Sequence, residues 1–481
     1  MEIQKTNILF LMTDQHRADC LGCNGNPIIK TPNLDKLAAN GAVFSAAYTS
    51  TPSCTPARTG ILTGLSPWNH GMLGMINMAP RYSYELPRAM TEAGYYTFAI
   101  GKLHYHPQRN YHGFCGALLD ESSRVASPGF VSDYRQWFKK RAPDLKYDAT
   151  GIGWNDYRAR AYALPEELHP TRWTGDTAVK FLRKYDRDEP FFLKVSFARP
   201  HSPYDPPERF MTMYNESDMP APHIGEWAGK FAPIDDELDN SPWHGNFGIE
   251  QARKSRRCYY GSVSFIDEQI GRIIQVLEER GWLENTLIVF TSDHGDMLGD
   301  HHHWRKTYGY EGSARIPMLV RWPASMGIKS NRGTTITQPV ELRDLLPTFL
   351  DAAGQKPPSS LDGMSMLKLV RGNKSGWREY IDLEHSVCYA FENYWSGLTD
   401  GVWKYIYHAH DGSEQVFNLK DDPGELNDLA SDSRHTETLE KWRQRMVDHL
   451  SERDERFVKD GKLVVRKEEV TLSPNFPRDP E

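Results

Sequence analysis

The sequence predicts an α/β fold: a large mixed, mostly parallel sheet sandwiched by helices, joined to a smaller C-terminal α+β domain of antiparallel strands with a closing helix. Three observations predict it. Apolar runs alternate with segments of helical periodicity, and none of the runs is longer than a strand. A stretch rich in Pro, Gly, Ser and Lys, from Pro357 to Gly376, then separates this region from a differently patterned end.

Thr6 to Thr13 (TNILFLMT) reads as the first strand, ending in Asp14-Gln15, and Pro32 to Asn40 reads as a helix stopped by Gly41. The pairing recurs. A helix over Ser83 to Ala93 precedes a strand at Tyr95 to Ile100, Asp176 to Lys184 precedes Phe191 to Phe197, and Gln251 to Arg280 precedes Thr286 to Thr291. Such alternation argues for parallel strands covered on both faces, with ligands bound beyond the carboxyl ends of the strands. Leu342 to Ala353 is a further helix. Past the connector, Tyr380 to Leu383, Gly401 to Tyr407 and Glu414 to Asn418 read as short antiparallel strands, and Thr436 to Ser451 as an amphipathic closing helix. The charged tail from Glu452 reads as a solvated extension. The expected division is a catalytic domain over residues 1–370 and a smaller one over 376–481.

With 481 residues and 39% hydrophobic content the chain buries a large core. A net charge of -7 argues against a nucleic-acid-binding surface, so any anionic substrate needs a local cationic pocket. No window reaches the ~18 uninterrupted apolar residues of a membrane span. Met1 is followed by Glu-Ile-Gln-Lys and a strand, without leader features, which reads as cytoplasmic as written and periplasmic if a signal peptide has been trimmed. Six cysteines in so long a chain make no disulfide framework, and Cys20-Leu-Gly-Cys23 lacks the second Cys-x-x-Cys of a zinc or redox site.

The most informative stretch is Cys54-Thr-Pro-Ala-Arg58-Thr-Gly-Ile-Leu-Thr63-Gly64. Pro56 suits the first turn of a helix, where its missing N–H costs nothing, so Cys54 sits at a helix N-terminus. Exposed N–H groups and the dipole favour an anion there, and Arg58 returns to the same place one turn on. The plain alternative is a buried cysteine beside an ordinary helix start. The string resembles the signature of the type I, formylglycine-dependent sulfatases of the alkaline phosphatase superfamily, Cys-x-Pro-x-Arg followed by four residues and Thr-Gly, at every fixed position.

That resemblance implies that Cys54 is oxidised after translation by a formylglycine-generating maturase. The hydrated Cα-formylglycine supplies a geminal diol, of which one hydroxyl attacks sulfur to give a covalent sulfate intermediate and the other lets it collapse and release sulfate. A thiolate would leave an adduct with no such exit. It also implies that Asp14-Gln15 and Asp293-His294, with residue 54, hold a divalent cation, where the family commonly has Asp-Asp and Asp-Asn. Gln15 and His294 lower the charge at the metal and make the site less purely hard, which leaves Ca²⁺ first and Mg²⁺ or Mn²⁺ open. The alternative is that Asp14 and Asp293 merely cap loops.

Three further segments match the family's anion-binding groups. Gly101-Lys102-Leu103-His104 resembles the element in which Lys and His clamp sulfate, His201 the histidine near the leaving-group oxygen, and Lys306 a second sulfate-binding lysine. The resemblance then implies Cys54 as nucleophile precursor, Arg58 and the metal acidifying its diol, His104 aiding collapse, His201 as general acid, and Lys102 and Lys306 binding substrate. His301, His302 and His303 read as a pocket-lining loop rather than a zinc cluster, since adjacent side chains point apart. His385 is the C-terminal residue expected to reach the pocket.

Two rival readings remain: a phosphonate monoester or phosphodiester hydrolase, whose members carry uncharged hydroxyl residues in place of Lys102 and His104, and a non-catalytic anion-binding protein on the same fold, whose members lose the Cys or a metal carboxylate. The loops Tyr105 to Thr174 and Pro203 to Asn246 are rich in Trp, Tyr, His and Arg, which suits sulfated sugars and also aryl sulfates. From Asn7 to Asn427 the chain is similar to bacterial carbohydrate sulfatases, including the uronate 2-O-sulfatases of glycosaminoglycan breakdown. The narrow expectation is an exo-acting glycosaminoglycan sulfatase.

Overall fold

The computed structural model describes residues 5–478 apart from 123, 125, 126 and 235–240. The reading of the first four residues, and those parts of the two expected substrate loops, lie outside the described residues. In chain order the first strands are β1 (Asn7–Asp14), β2 (Ala42–Phe44), β3 (Ala47–Tyr48), β4 (Tyr96–Gly101), β5 (Gly116–Leu119), β6 (Phe191–Pro200), β7 (Thr286–Ser292), β8 (Met318–Arg321), β9 (Thr334–Ile336) and β10 (Val340–Glu341). Eight of them make one sheet in the order β5-β4-β6-β1-β7-β8-β2-β9, parallel except where β8 runs against β7 and β2. β3 and β10 form a separate parallel pair.

The period of two along β1 explains why helices cover both faces. Ile8, Phe10 and Met12 pack against Ile61, Met90 and Phe349 of the helices Cys54–Thr63, Leu86–Glu92 and Leu345–Ala352. Leu9 and Leu11 face the other way, onto Leu182 and Ile270 of the helices Pro170–Lys184 and Ile249–Glu279. The helix expected from Asp176 therefore starts six residues earlier. His169 accepts from the N–H of Thr171 and Pro170 occupies the first turn, a start signal that the apolar pattern alone does not show. Likewise the helix expected over Ser83 to Ala93 begins at Leu86.

The C-terminal sheet is an antiparallel meander of β11 (Ile381–His385), β12 (Trp395–Thr399), β13 (Trp403–His408) and β14 (Glu414–Asn418). β12 was not expected, because Gly397 interrupts its pattern. That glycine is needed, since a Cβ there would lie 2.9 Å from the carbonyl oxygen of Tyr405. The sheet packs Leu398, Tyr405 and Val416 on the helix Thr436–Leu450, and Ile406 and Phe417 on Tyr308 and Tyr310 of the larger sheet's loops.

Two expectations are corrected. The connector Pro357 to Gly376 contains the helical turn Leu367–Val370, whose Leu367 and Leu369 belong to the main core. The tail after Glu452 is not a solvated extension. Phe457 and Val470 are buried in the C-terminal core, and the chain returns to the larger domain, where Leu73 N–H donates to Thr471 O (2.9 Å) and Ser473 N–H to Gly71 O (2.9 Å). Gly71, at φ 91°, leaves the space that Phe476 fills. Among the described residues no helix is long and apolar enough to cross a membrane.

Burial also sets a pH dependence. It holds His16, His301, His385 and His408 down at about 4 and His70 at about 3. Folded values below the unfolded one mean that the unfolded chain binds more protons under about pH 6.5, so stability present at pH 7 is lost as pH falls toward 4. Glu341 and Glu425, pushed up by burial to about 7, and Asp267, to about 6, act in the opposite sense, but they are fewer. The thermal midpoint is expected to fall from pH 6.5 to 4, as stability declines by ~1.4 kcal/mol per pH unit for each histidine not offset. A flat or rising midpoint in a calorimetric series would contradict this.

Candidate active site

Four parallel strands deliver their carboxyl ends to one point. β1 ends at Asp14, β4 hands over to Lys102, β6 to His201 and β7 to Asp293. Adjacency follows from register: Thr13 pairs with Ser292, His201 N–H donates to Asp14 O (3.1 Å), and Lys102 N–H donates to Ser196 O (2.8 Å). Gly101, at φ 95°, makes the approach to β6 possible, because a Cβ there would lie 2.0 Å from Ser196 O. The helix Cys54–Thr63 points its first residue at the same place. Ser53 precedes it in extended conformation, and every residue of the helix is buried.

Arg58 organises the floor. Its Nε donates to Asp293 Oδ2 (2.8 Å), Nη2 to Asp14 Oδ2 (3.1 Å) and Nη1 to Lys102 O (2.7 Å). Lys102 Nζ pairs with Asp14 Oδ2 at 2.5 Å. The Cys54 thiol lies 3.2 Å from His294 Nε2 and 4.0 Å from Lys102 Nζ. Burial and the Asp14 carboxylate raise its pKa, yet Lys102, Lys306 and His294 outweigh them and hold it below the ordinary thiol value. Burial also opposes ionisation of Asp14, but Lys102, His201, Arg58 and His294 keep its pKa well below the carboxylate range.

On the far side Lys306 Nζ donates to Gln15 Oε1 (3.0 Å) and to His201 Nε2 (2.7 Å). His201 Nδ1 donates to Ser202 O (2.9 Å), which leaves Nε2 as acceptor. Burial, then Lys306, keep its pKa well below the ordinary value. Burial and Lys102 do the same to His104, whose Nδ1 has no partner among the described residues. Gln15 (φ 66°), His104 (φ 62°), Arg305 (φ 70°) and Thr307 (φ 86°) all adopt left-handed backbone, about 1–3 kcal/mol of strain each. Thr307 is held by Pro52 O and by Asn393 and Trp395 of the C-terminal domain.

The donor set fits a divalent cation. Ligand atoms of Asp14, Cys54, Asp293 and His294 lie within 4.8 Å of one another, all buried. His294 Nδ1 donates to Gly295 O (2.9 Å), fixing the tautomer that turns Nε2 inward. Gln15 is oriented by Asp296, whose Oδ2 accepts from Gln15 Nε2 (2.5 Å) and from the Tyr204 hydroxyl (2.5 Å).

The structure thus brings together Cys54, Arg58, Asp14, Gln15, Asp293, His294, Lys102, Lys306 and His201, with His104 in the field of Lys102 and Arg58. His385 Nε2 reaches Ser53 Oγ (2.9 Å), next to Cys54. His301 packs on Trp227, and His303 on Tyr308 in an aromatic cavity that the C-terminal sheet residues Trp395, Ile406 and Gln415 also line, while none of the Asp14, Cys54, Asp293 and His294 cluster lines it. Cys20 and Cys23 are free.

Sequence reasoning missed Asp296, although it stands three residues after Asp293, and Trp154, which stacks on His201 (centroids 3.9 Å, 17°) with Lys102 Nζ 4.7 Å from its ring. Ser202 Oγ pins that loop through Gly153 O (3.1 Å) and Asp156 O (2.7 Å).

A buried cysteine among paired carboxylates, lysines and histidines, at the carboxyl edge of a mostly parallel sheet, is an arrangement that suits a hydrolase of anionic esters. The sulfatase family model matches residues 6–355, and that of the N-sulphoglucosamine sulphohydrolase C-terminal region matches residues 299–452. An arylsulfatase of Clostridium perfringens is 38% identical over 472 residues, 96% of this chain and 97% of that protein. An N-acetylglucosamine-6-O-sulfatase of Bacteroides thetaiotaomicron is 27% identical over 96% of this chain and 88% of its own length. The crystal structure of a phosphonate monoester hydrolase of Agrobacterium radiobacter superposes with a TM-score of 0.78 at 25% identity, covering 96% of this chain and all of that one. The chain belongs to the sulfatase family, and it is a sulfuric ester hydrolase.

Proposed function

We propose that the protein hydrolyses a sulfate monoester on a sulfated, glycosaminoglycan-derived sugar, acting at a chain end, with Cys54 matured to formylglycine. The observation that carries this reading is the placement of Lys102 and of the Lys306–His201 pair where both lysines act on Cys54, beside the carboxylates of Asp14 and Asp293. Mature residue 54 supplies, as its hydrate, one hydroxyl for attack on sulfur and a second for release of sulfate. A divalent cation held by Asp14, Gln15, Asp293 and His294, with Ca²⁺ preferred, supplies charge that acidifies that diol.

The remaining work falls to the chain's own side chains. Arg58, fixed between Asp14 and Asp293, holds positive charge beside residue 54. Lys102 and Lys306 take the non-bridging sulfate oxygens. The Lys306–His201 hydrogen bond keeps a proton next to the departing alcohol, and the arriving sulfate charge favours its residence on His201. His104, kept neutral by burial and by Lys102, accepts a proton from the second hydroxyl of residue 54. Lys102 and His104 also favour sulfate over phosphonate or phosphodiester substrates. Maturation requires a separate maturase.

A panel of sulfated disaccharides, assayed beside a phosphodiester with and without chelator, tests the reading. Inorganic sulfate release is expected from at least one sugar, falling by ~10²-fold or more when the cation is stripped and returning with Ca²⁺. Release from none of the sugars would end the carbohydrate assignment.

A further inference from the structure

The cations at the centre of the site all have partners. Lys102 pairs with Asp14, Arg58 with Asp14 and Asp293, and Lys306 donates to Gln15 and His201. Arg124 differs. Its backbone is held on the segment that follows β5: its N–H donates to Glu121 O (3.1 Å), and Gln108 Nε2 donates to its carbonyl (3.1 Å). Glu121 Oε1 in turn accepts from the N–H groups of Leu103 and His104, at 2.9 Å each. The Arg124 guanidinium donates through Nη2 to the neutral Asn77 Oδ1 (3.1 Å), while Nη1 is buried without a partner among the described residues.

The Glu121 carboxylate attracts its guanidinium, and its charge is also felt by Cys54, Arg58 and His104, in keeping with the contact of this segment with the Leu103–His104 backbone. Glu121 Oε2, three residues before Arg124, is buried and without a hydrogen-bond partner among the described residues. A buried donor on a charged group is costly unless something satisfies it. Arg305 donates to Ser241 O and lies 4.4 Å from the Tyr389 ring, whereas Arg124 leaves an outer guanidinium nitrogen, Nη1, unmet among the described residues.

Resting on the proposed function, we infer that Arg124 binds a second anionic group on the leaving group, a carboxylate or a further sulfate, so that preferred substrates are sugars with at least two negative charges. The shared chemistry is a planar or trigonal face of anionic oxygens, which a guanidinium fork meets in bidentate fashion.

The test compares wild type, Arg124→Met and Arg124→Lys on phenyl sulfate, carboxyphenyl sulfate, a 2-O-sulfated uronate disaccharide and an N,6-disulfated glucosamine. Arg124→Met is expected to raise KM for the dianionic substrates by tenfold or more, with kcat changed little and phenyl sulfate turnover within about twofold, and Arg124→Lys to restore part of the loss. The sugar that loses more identifies carboxylate or sulfate as the natural group.

Equal losses on phenyl sulfate would place Arg124 on the transferring sulfate and overturn the inference, as would unchanged ratios throughout. If wild type releases sulfate from neither sugar while Arg124→Met still lowers the carboxyphenyl-to-phenyl ratio, the carbohydrate reading fails and the role of Arg124 stands.

Discussion

Cys54→Ala is expected to leave the protein folded and to reduce sulfate release by about 10⁴-fold or more. The loss is large because residue 54 is the single group from which bond formation to sulfur starts in the proposed reaction, whereas Lys102, Lys306 and His201 act on charge and protons that water handles in part. Folding survives because Cys54 occupies the first position of its helix, its side chain makes no ion pair, and Ser53 and Pro56 retain the start of the helix. The thermal midpoint of the variant stays close to that of the parent, which separates a chemical loss from a structural one.

A second arm concerns maturation. Protein made with an active maturase yields a residue-54 peptide lighter than the encoded cysteine, and activity scales with the converted fraction. Parent-level turnover by Cys54→Ala, or full activity in protein carrying unconverted cysteine, would remove residue 54 from the chemistry.

The sequence carried the strand ends and lost the loops, and the reason is physical. β1, β6 and β7 are buried on both faces, so their apolar runs stand out. The residues that follow each of them, Asp14-Gln15, His201 and Asp293-His294, are fixed in space by backbone register alone. Cys54 and Arg58 were legible because one helical turn relates them. Trp154 and Arg124 were not, since their positions depend on Ser202 reaching Gly153 and Gln108 reaching the Arg124 carbonyl, contacts between segments far apart in the chain.

β12 was hidden by Gly397, which exists to let Tyr405 approach. The tail misled because Phe457 and Val470 are isolated apolar residues among charges, with no period to mark the face they bury. His385 could be suspected but not placed, because its contact with Ser53 Oγ arises only when β11 docks on the larger domain.

Asp14→Asn is expected to cost stability and activity together, in a way that a second substitution pulls apart. Asp14 is fully buried and carries ion pairs from Lys102 (2.5 Å) and Arg58 (3.1 Å). Arg58 keeps Asp293 when the charge is removed, but Lys102 keeps no carboxylate partner within ion-pair distance among the described residues. An ammonium stranded at zero exposure is the case in which breaking a buried pair costs about 3–5 kcal/mol. Sulfate release is expected to fall by about 10³-fold, since the variant also weakens the cation site and turns Lys102 away from the sulfate position.

Measured in chelator, so that no bound cation contributes, the thermal midpoint of Asp14→Asn drops. Adding Lys102→Met removes the stranded charge and restores most of the midpoint, because an apolar group of similar length replaces an unpaired ion. Activity does not return, as the double variant lacks both the carboxylate and the lysine. A single variant with parental midpoint would show that Lys102 does not depend on Asp14, and a double variant that regains turnover would remove both residues from the reaction.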